Sequence, residues 1–159
     1  MMSDQEFMLH AFRGNQAAID YVLLVAQVVD VWDNLIDKDV SVSDKDINKA
    51  FWNLAVEIPK NAFYRKHMAE LTPVVSTGIL NWLTANTMEQ SDSGNALEIA
   101  HVIRYSIADV AILAALICGG PEWAEAVGPE LRMRSQRSNF SEYINSLRLK
   151  REKNHVHTQ

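Results

Sequence analysis

Cysteine is nearly absent from this chain of 159 residues: Cys118 is the only one, which excludes an intramolecular disulfide and a cysteine-rich zinc site. It lies in the apolar run Val110–Cys118, a context that predicts a buried, inert thiol and fits a reducing compartment. Glycine and proline are scarce, six and four, too few for a many-turned β-sandwich or a low-complexity linker. No internal repeat is visible, which excludes a solenoid. The opening residues Met1-Met2-Ser3-Asp4-Gln5-Glu6 lack the basic residues and following apolar stretch of a secretory leader, so a cytoplasmic location is expected. Val110–Cys118 is also the longest apolar run, about half of the roughly 20 residues that a membrane-spanning helix needs.

What remains is 48% apolar and 22% charged residues, the mix of one compact domain. Residues 1–150 are read as a single helical domain and 151–159 as a disordered basic tail. The net charge of −5 is unevenly spread. Residues 1–131 hold 8 Lys/Arg against 18 Asp/Glu, and 132–159 hold 7 against 2, so an acidic body carries a basic end. Duplex DNA is repelled by such a body. Nucleic-acid binding would have to rest on Arg132, Arg134, Arg137, Arg148, Lys150, Arg151 and Lys153, and is not the expected role. A solvated terminal helix, or docking of this end on the acidic body of a neighbouring subunit, is the alternative.

Boundary signals recur at helical intervals. Ser3-Asp4-Gln5-Glu6 is a capping box, and Gly14 ends the helix it opens. From Asn15 to about Asp37 apolar residues fall on one face: Ala18, Tyr21, Val22, Val25, Val28, Val29, Trp32 and Ile36. Ser43 caps a helix with Ile47, Ala50, Phe51, Leu54 and Ile58 on one side, which Pro59 is expected to stop. Asn61 caps a short helix, and Thr72-Pro73 is read as the start of another, running to about Gln90. Ser91–Gly94 is a loop. A central helix over 95–118 becomes apolar all round from Ile107 onward. Gly119-Gly120-Pro121 ends it, a short helix covers 121–127, Gly128-Pro129 opens the next, and Ser141–Lys150 forms the last. These signals predict an all-α bundle of six to nine helices around the apolar segment 95–118.

The chemistry concentrates in Asp30, Asp33 and Asp37, which at 100° per residue lie within about 60° of one another beside the apolar stripe. They crowd the negative end of their helix, where each carboxylate is disfavoured by roughly 0.3–1 kcal/mol, so a cation is expected opposite them. Mg²⁺ or Mn²⁺ would serve and could polarise a phosphoryl oxygen; Lys38, Arg65 or Arg104 would serve equally. A second constellation is His101, Arg104, Tyr105 and Asp109. Asp109 stands among apolar neighbours and needs a partner, from Arg104 or from another helix. With the aspartates across the bundle, His101 and Arg104 would form a pocket for a small anionic ligand. His67 is read as a surface residue of the basic turn Arg65-Lys66-His67, and His155-x-His157 as an incidental pair in the tail. Trp32, Trp52, Trp82 and Trp123 are read as core or subunit-interface anchors. No nucleophile arrangement or phosphate-binding loop is present.

The run Asp30-x-x-Asp33-x-x-x-Asp37 resembles the acidic motifs of class I isoprenoid synthases and of MazG-type nucleotide pyrophosphatases, which hold Mg²⁺ at a diphosphate. The chain is too short for the former and lacks the paired ExxE and ExxD of the latter. Trp32 to Asp39, then Ser43-Asp44-x-x-Ile47-Asn48-x-Ala50-Phe51-Trp52, and later Gly119 to Trp123 with Leu131-Arg132, resemble a small helical protein type encoded in tailed-bacteriophage genomes. That resemblance spans about three-quarters of the chain and implies a phage origin, a host-cell cytoplasmic location and no catalytic residues. The expected role is therefore a self-associating binding or assembly protein, meeting a host or phage protein or a small anionic ligand. The alternatives are a Mg/Mn-dependent phosphate or diphosphate ester hydrolase using Asp30, Asp33 and Asp37, and nucleic-acid binding by the basic end.

Overall fold

Helix starts marked by capping side chains hold at Ser3, Ser43 and Asn61 and fail at Thr72. The computed structural model, which describes residues 2–38 and 40–156, is all-α, with no strand among the described residues. α1 (Asp4–Ala11) opens on the Ser3–Glu6 capping box. Gly14, at φ 73°, turns the chain into α2 (Gln16–Asp37), where Asn15 caps the amide of Ala18. Lys38 adopts the left-handed conformation and stops α2. Asp39 lies outside the described residues. α3 (Asp44–Trp52) starts on Ser43.

Pro59 does not stop this helix. A π-helical turn over Asn53–Glu57 carries the axis into α4 (Ile58–Lys60). Widening the turn accommodates a proline that has no amide to donate. It also turns Asn53 inward, where its amide donates to Gln27 Oε1 at 2.8 Å. Asn61 then caps α5 (Ala62–Met88). The expected break at Thr72-Pro73 is absent. Pro73 sits inside α5, and the helix bends instead at His67, with φ −120°.

The helix expected over 95–118 is two helices, α6 (Gly94–Ile103) and α7 (Ala108–Gly119), bent by 44°. Across residues 104–107 the backbone bonds tighten to three-residue spacing, and the Ser106 hydroxyl donates to Ile103 O. Neither glycine nor proline marks this break. Among the described residues no single helix is long and apolar enough to cross a membrane. α8 (Pro121–Ser135) is continuous through Pro129, because Gly128 has no Cβ to clash with the proline ring in helical conformation. α9 (Phe140–Val156) continues past Lys150, correcting the expectation of a disordered stretch for residues 151–156.

α7 is the centre, packed against α8, α5 and α2. Its buried Ala108, Ala111, Ala114 and Ala115 let neighbouring helices approach closely. Tyr21, Phe12, Leu71 and Val110 are the largest fully buried side chains. A second, smaller apolar cluster joins Ala85 of α5, Ala100 of α6, and Tyr143 and Leu147 of α9.

Candidate functional site

The acids at the end of α2 do face a cation, and it is Arg104. The break after α6 leaves Arg104 as the cap of that helix, with its guanidinium directed at the last turns of α2 and α5. One nitrogen donates to Asn86 Oδ1 at 2.8 Å and to Glu89 Oε1 at 2.6 Å; the other donates to Asp37 Oδ2 and, at 3.3 Å, to Asp33 Oδ1. Asp33 Oδ1 also accepts from the Trp82 indole at 2.6 Å, and Arg104 lies 5.5 Å from the centre of that ring. Tyr143 Oη donates to Glu89 Oε1 at 2.7 Å, and Lys150 Nζ reaches Asp37 Oδ2 at 3.1 Å. Carboxylates in the last turns of two helices thus gather where both backbones already end negative, and one planar fork bridges them.

This is an interior network: the side chains of Arg104 and Glu89 are each 10% exposed. Burial by itself would lower the pKa of Arg104, but the Glu89, Asp37 and Asp33 carboxylates outweigh it and hold the guanidinium above its ordinary value. Burial, reinforced by the hydrogen bond to Glu89, pushes the Tyr143 phenol well up. Tyr21, buried beside Tyr64, is pushed up to about 12 from an ordinary 10.0. Both folds favour the neutral phenol. Their stabilising contribution is therefore complete below the ordinary tyrosine pKa and is lost as the pH climbs, for Tyr21 between about 10 and about 12. Urea midpoints are expected to hold steady to about pH 10 and then fall, and Tyr143→Phe should start lower and fall less steeply. A midpoint unchanged through that window would contradict the assignment.

Arg104, Asp33 and Asp37 are brought together as expected; the other predicted residues are not. Asp30 pairs with Arg137. Asp109, expected to be buried with Arg104 or another cation, pairs with Arg132 of α8 at a half-exposed position. His101 is buried, but faces away from the aspartates: its Nε2 lies 3.0 Å from Ser138 O and from Gln136 Nε2, and its ring packs on Tyr143 at 4.8 Å. The pocket of His101, Arg104 and Asp109 is therefore corrected to three separate contacts. Among the described residues no three His, Cys, Asp or Glu side chains converge as a metal site. Asp30, Asp33 and Asp37, the proposed Mg²⁺ or Mn²⁺ ligands, are instead engaged by Arg137, Arg104 and Lys150.

His67 lies at the bend of α5 against Phe63, ring centres 5.0 Å apart, rather than on a surface turn. His157 lies outside the described residues, and with it the pair that it forms with His155. Cys118 is a free, half-buried thiol whose pKa burial raises. Trp82 is buried and packs at a tilt against Trp32, ring centres 4.2 Å apart, whereas Trp52 is exposed. Glu89 and Asn86 escaped the sequence reading, which placed Tyr143 only in the last helix and Lys150 only in the basic end. Glu89 carried the same signal as the aspartates, an acid at a helix C-terminus.

Beside the network, a half-open recess of about 370 Å³ runs between α2 and α8. Val22, Val29, Ile107 and Leu131 are among its apolar walls, with Asp33 and Arg104 also on its lining and the Asp30–Arg137 pair on its rim. Among the described residues every fully buried side-chain nitrogen and oxygen has a partner. The arrangement can hold helices together and accept an apolar group; it presents no activated nucleophile. Comparison with protein-family models, curated proteins and solved structures finds no match for this chain.

Proposed function

We propose that this chain is a binding and assembly protein of the phage type, without catalytic machinery of its own, that self-associates through helix faces left uncovered by the fold. The carrying observation is the apolar stripe of α3 and the turn that follows it. Ala50 and Ile58 are buried, but Phe51 is 72% exposed and Leu54 54%, with Trp52 beside them at 57%. α2, which packs on α3, carries exposed Leu35 and Ile36 in its last turn, and exposed Val40 follows in the link to α3. Scattered apolar residues are normal on a surface, but a grouped set of this kind marks an interaction face. Each such side chain, fully buried, contributes about 1.5–3 kcal/mol. Two copies together therefore reach the order of the 4–15 kcal/mol that association costs.

The partner is a second copy, which brings the same apolar face and needs no charge complement, since Lys45 and Lys49 offset Asp44 and Asp46 at one end of the segment and Glu57 pairs with Lys60 at the other. Sedimentation is the test. The native chain should sediment above monomer mass, and Phe51→Ser with Leu54→Ser should sediment as a folded monomer with an unchanged helical circular dichroism spectrum and a melting temperature that no longer depends on protein concentration. A native chain that stays monomeric at high micromolar concentration would refute the reading. Nucleic-acid binding draws little support from the basic end, since five of its seven cations, Arg132, Arg134, Arg137, Lys150 and Arg151, pair with acids of the same chain.

A further inference from the structure

We infer that α9 is an exchangeable helix, and that the cleft it fills on α5 and α6 accepts the α9 of a second copy. This interface is separate from the α3 face and does not rest on it. Three observations carry it. First, α9 supplies nothing to the main core, whose buried members all precede residue 132; its apolar anchors are Tyr143 and Leu147, one helical turn apart, in the smaller cluster with Ala85 and Ala100. Second, its other ties are polar and follow the charge division of the chain. Lys150 binds Asp37; Arg151 binds Asp92 and the carbonyls of Glu89 and Ser91; Tyr143 binds Glu89. Third, residues 136–139, between α8 and α9, have no regular helix and anchor chiefly through Ser138 to His101 and Arg137 to Asp30.

An element held by a small cluster and a few polar ties, of which Arg151–Asp92 lies at the surface, opens at lower free energy than the core does. When α9 leaves, Ala85 and Ala100 lose their cover, and Glu89 and Asp37 each lose a partner. Only a helix with the same apolar pair and the same cations restores all of these contacts, and a second copy carries it. Exchange then conserves every contact of α9 outside the hinge 136–139 and alters only which chain provides it. The tether gives the chain's own α9 an effective concentration in the millimolar range, so dilute protein keeps it in place and concentrated protein exchanges it.

The experiment uses the Phe51→Ser, Leu54→Ser background, so that failure of the α3 reading does not affect it. Deleting Arg137 and Ser138 shortens the hinge by about 7 Å and prevents α9 from reaching its own cleft. Chains with ordinary and heavy nitrogen are refolded together, and the Lys150–Asp37 ion pair is captured by zero-length carbodiimide coupling. Dimer mass is expected, with about half of the Lys150–Asp37 links joining a heavy to a light chain, as random pairing requires. Monomer mass with same-isotope links only, or with no such link, would overturn the inference. Should the deletion prevent folding, the same coupling on chains with the intact hinge decides. The mixed-isotope fraction must rise with protein concentration during refolding, and a fraction that stays at zero overturns the inference.

Discussion

Arg104→Met is expected to lower the free energy of unfolding by about 3–5 kcal/mol, the usual loss when one member of a buried ion network is removed. Methionine fills a similar volume, so little of the loss comes from packing. What is lost is the one group among the described residues that touches Asp33, Asp37, Asn86 and Glu89 at once. Three carboxylates then remain at helix ends whose dipoles already repel them. Arg104→Lys should recover only part of the loss, because an ammonium cannot bridge carboxylates on two sides with separate nitrogens. Neutralising the acids as well, with Asp33→Asn, Asp37→Asn and Glu89→Gln in the Arg104→Met chain, should restore stability toward that of the native protein. Urea unfolding measures each step. A loss under about 1 kcal/mol, as for a surface ion pair, would mean that the network is solvated and does not hold α2, α5 and α6 together.

Gly119→Ala carries the second large effect. A Cβ at this position would lie 2.2 Å from Cδ1 and 2.8 Å from Cβ of Trp123, well inside contact distance. The indole cannot swing away freely. Its N–H donates to Ala11 O at 2.9 Å, His10 packs on its edge at 4.9 Å, and Arg13 lies over it at 5.0 Å. Overpacking of this kind costs about 1–3 kcal/mol, and the displaced indole bond adds roughly 1 kcal/mol. A double-mutant cycle locates the cause: in a Trp123→Gly background, which removes the Trp123 Cβ as well as the indole, Gly119→Ala should be nearly neutral, and full additivity would place the strain elsewhere.

The acidic end of α2 shows how far local reasoning reaches. Helical spacing puts Asp33 and Asp37 on one flank, and the helix dipole demands a counter-charge there, so the need for a cation is legible. Which cation answers is not. Lys38, Arg65, Arg104 and a divalent ion satisfied the demand equally, and the choice was made by the break at 104–107. That break has no glycine or proline to announce it, being held by local hydroxyl and three-residue backbone bonds. Asp109 illustrates the opposite failure. Its apolar sequence neighbours suggested burial, yet they point inward from α7 while Asp109 itself lies half-exposed beside Arg132.

Prolines misled for a related reason. A missing amide and a ring clash disfavour a helix by a few kcal/mol, which a π turn at Pro59 and a preceding glycine at Pro129 absorb within the packed fold. Helix identity, the all-α class, the caps at Ser3, Ser43 and Asn61 and the apolar stripe of α2 were determined by sequence alone, because periodicity and capping act within one or two turns. The partners of Arg104, the docking of the basic helix on its own acidic body, and the stripe of α3 left facing solvent were decided by tertiary packing. Each depends on how distant segments meet, and side-chain spacing along one helix holds no information about that.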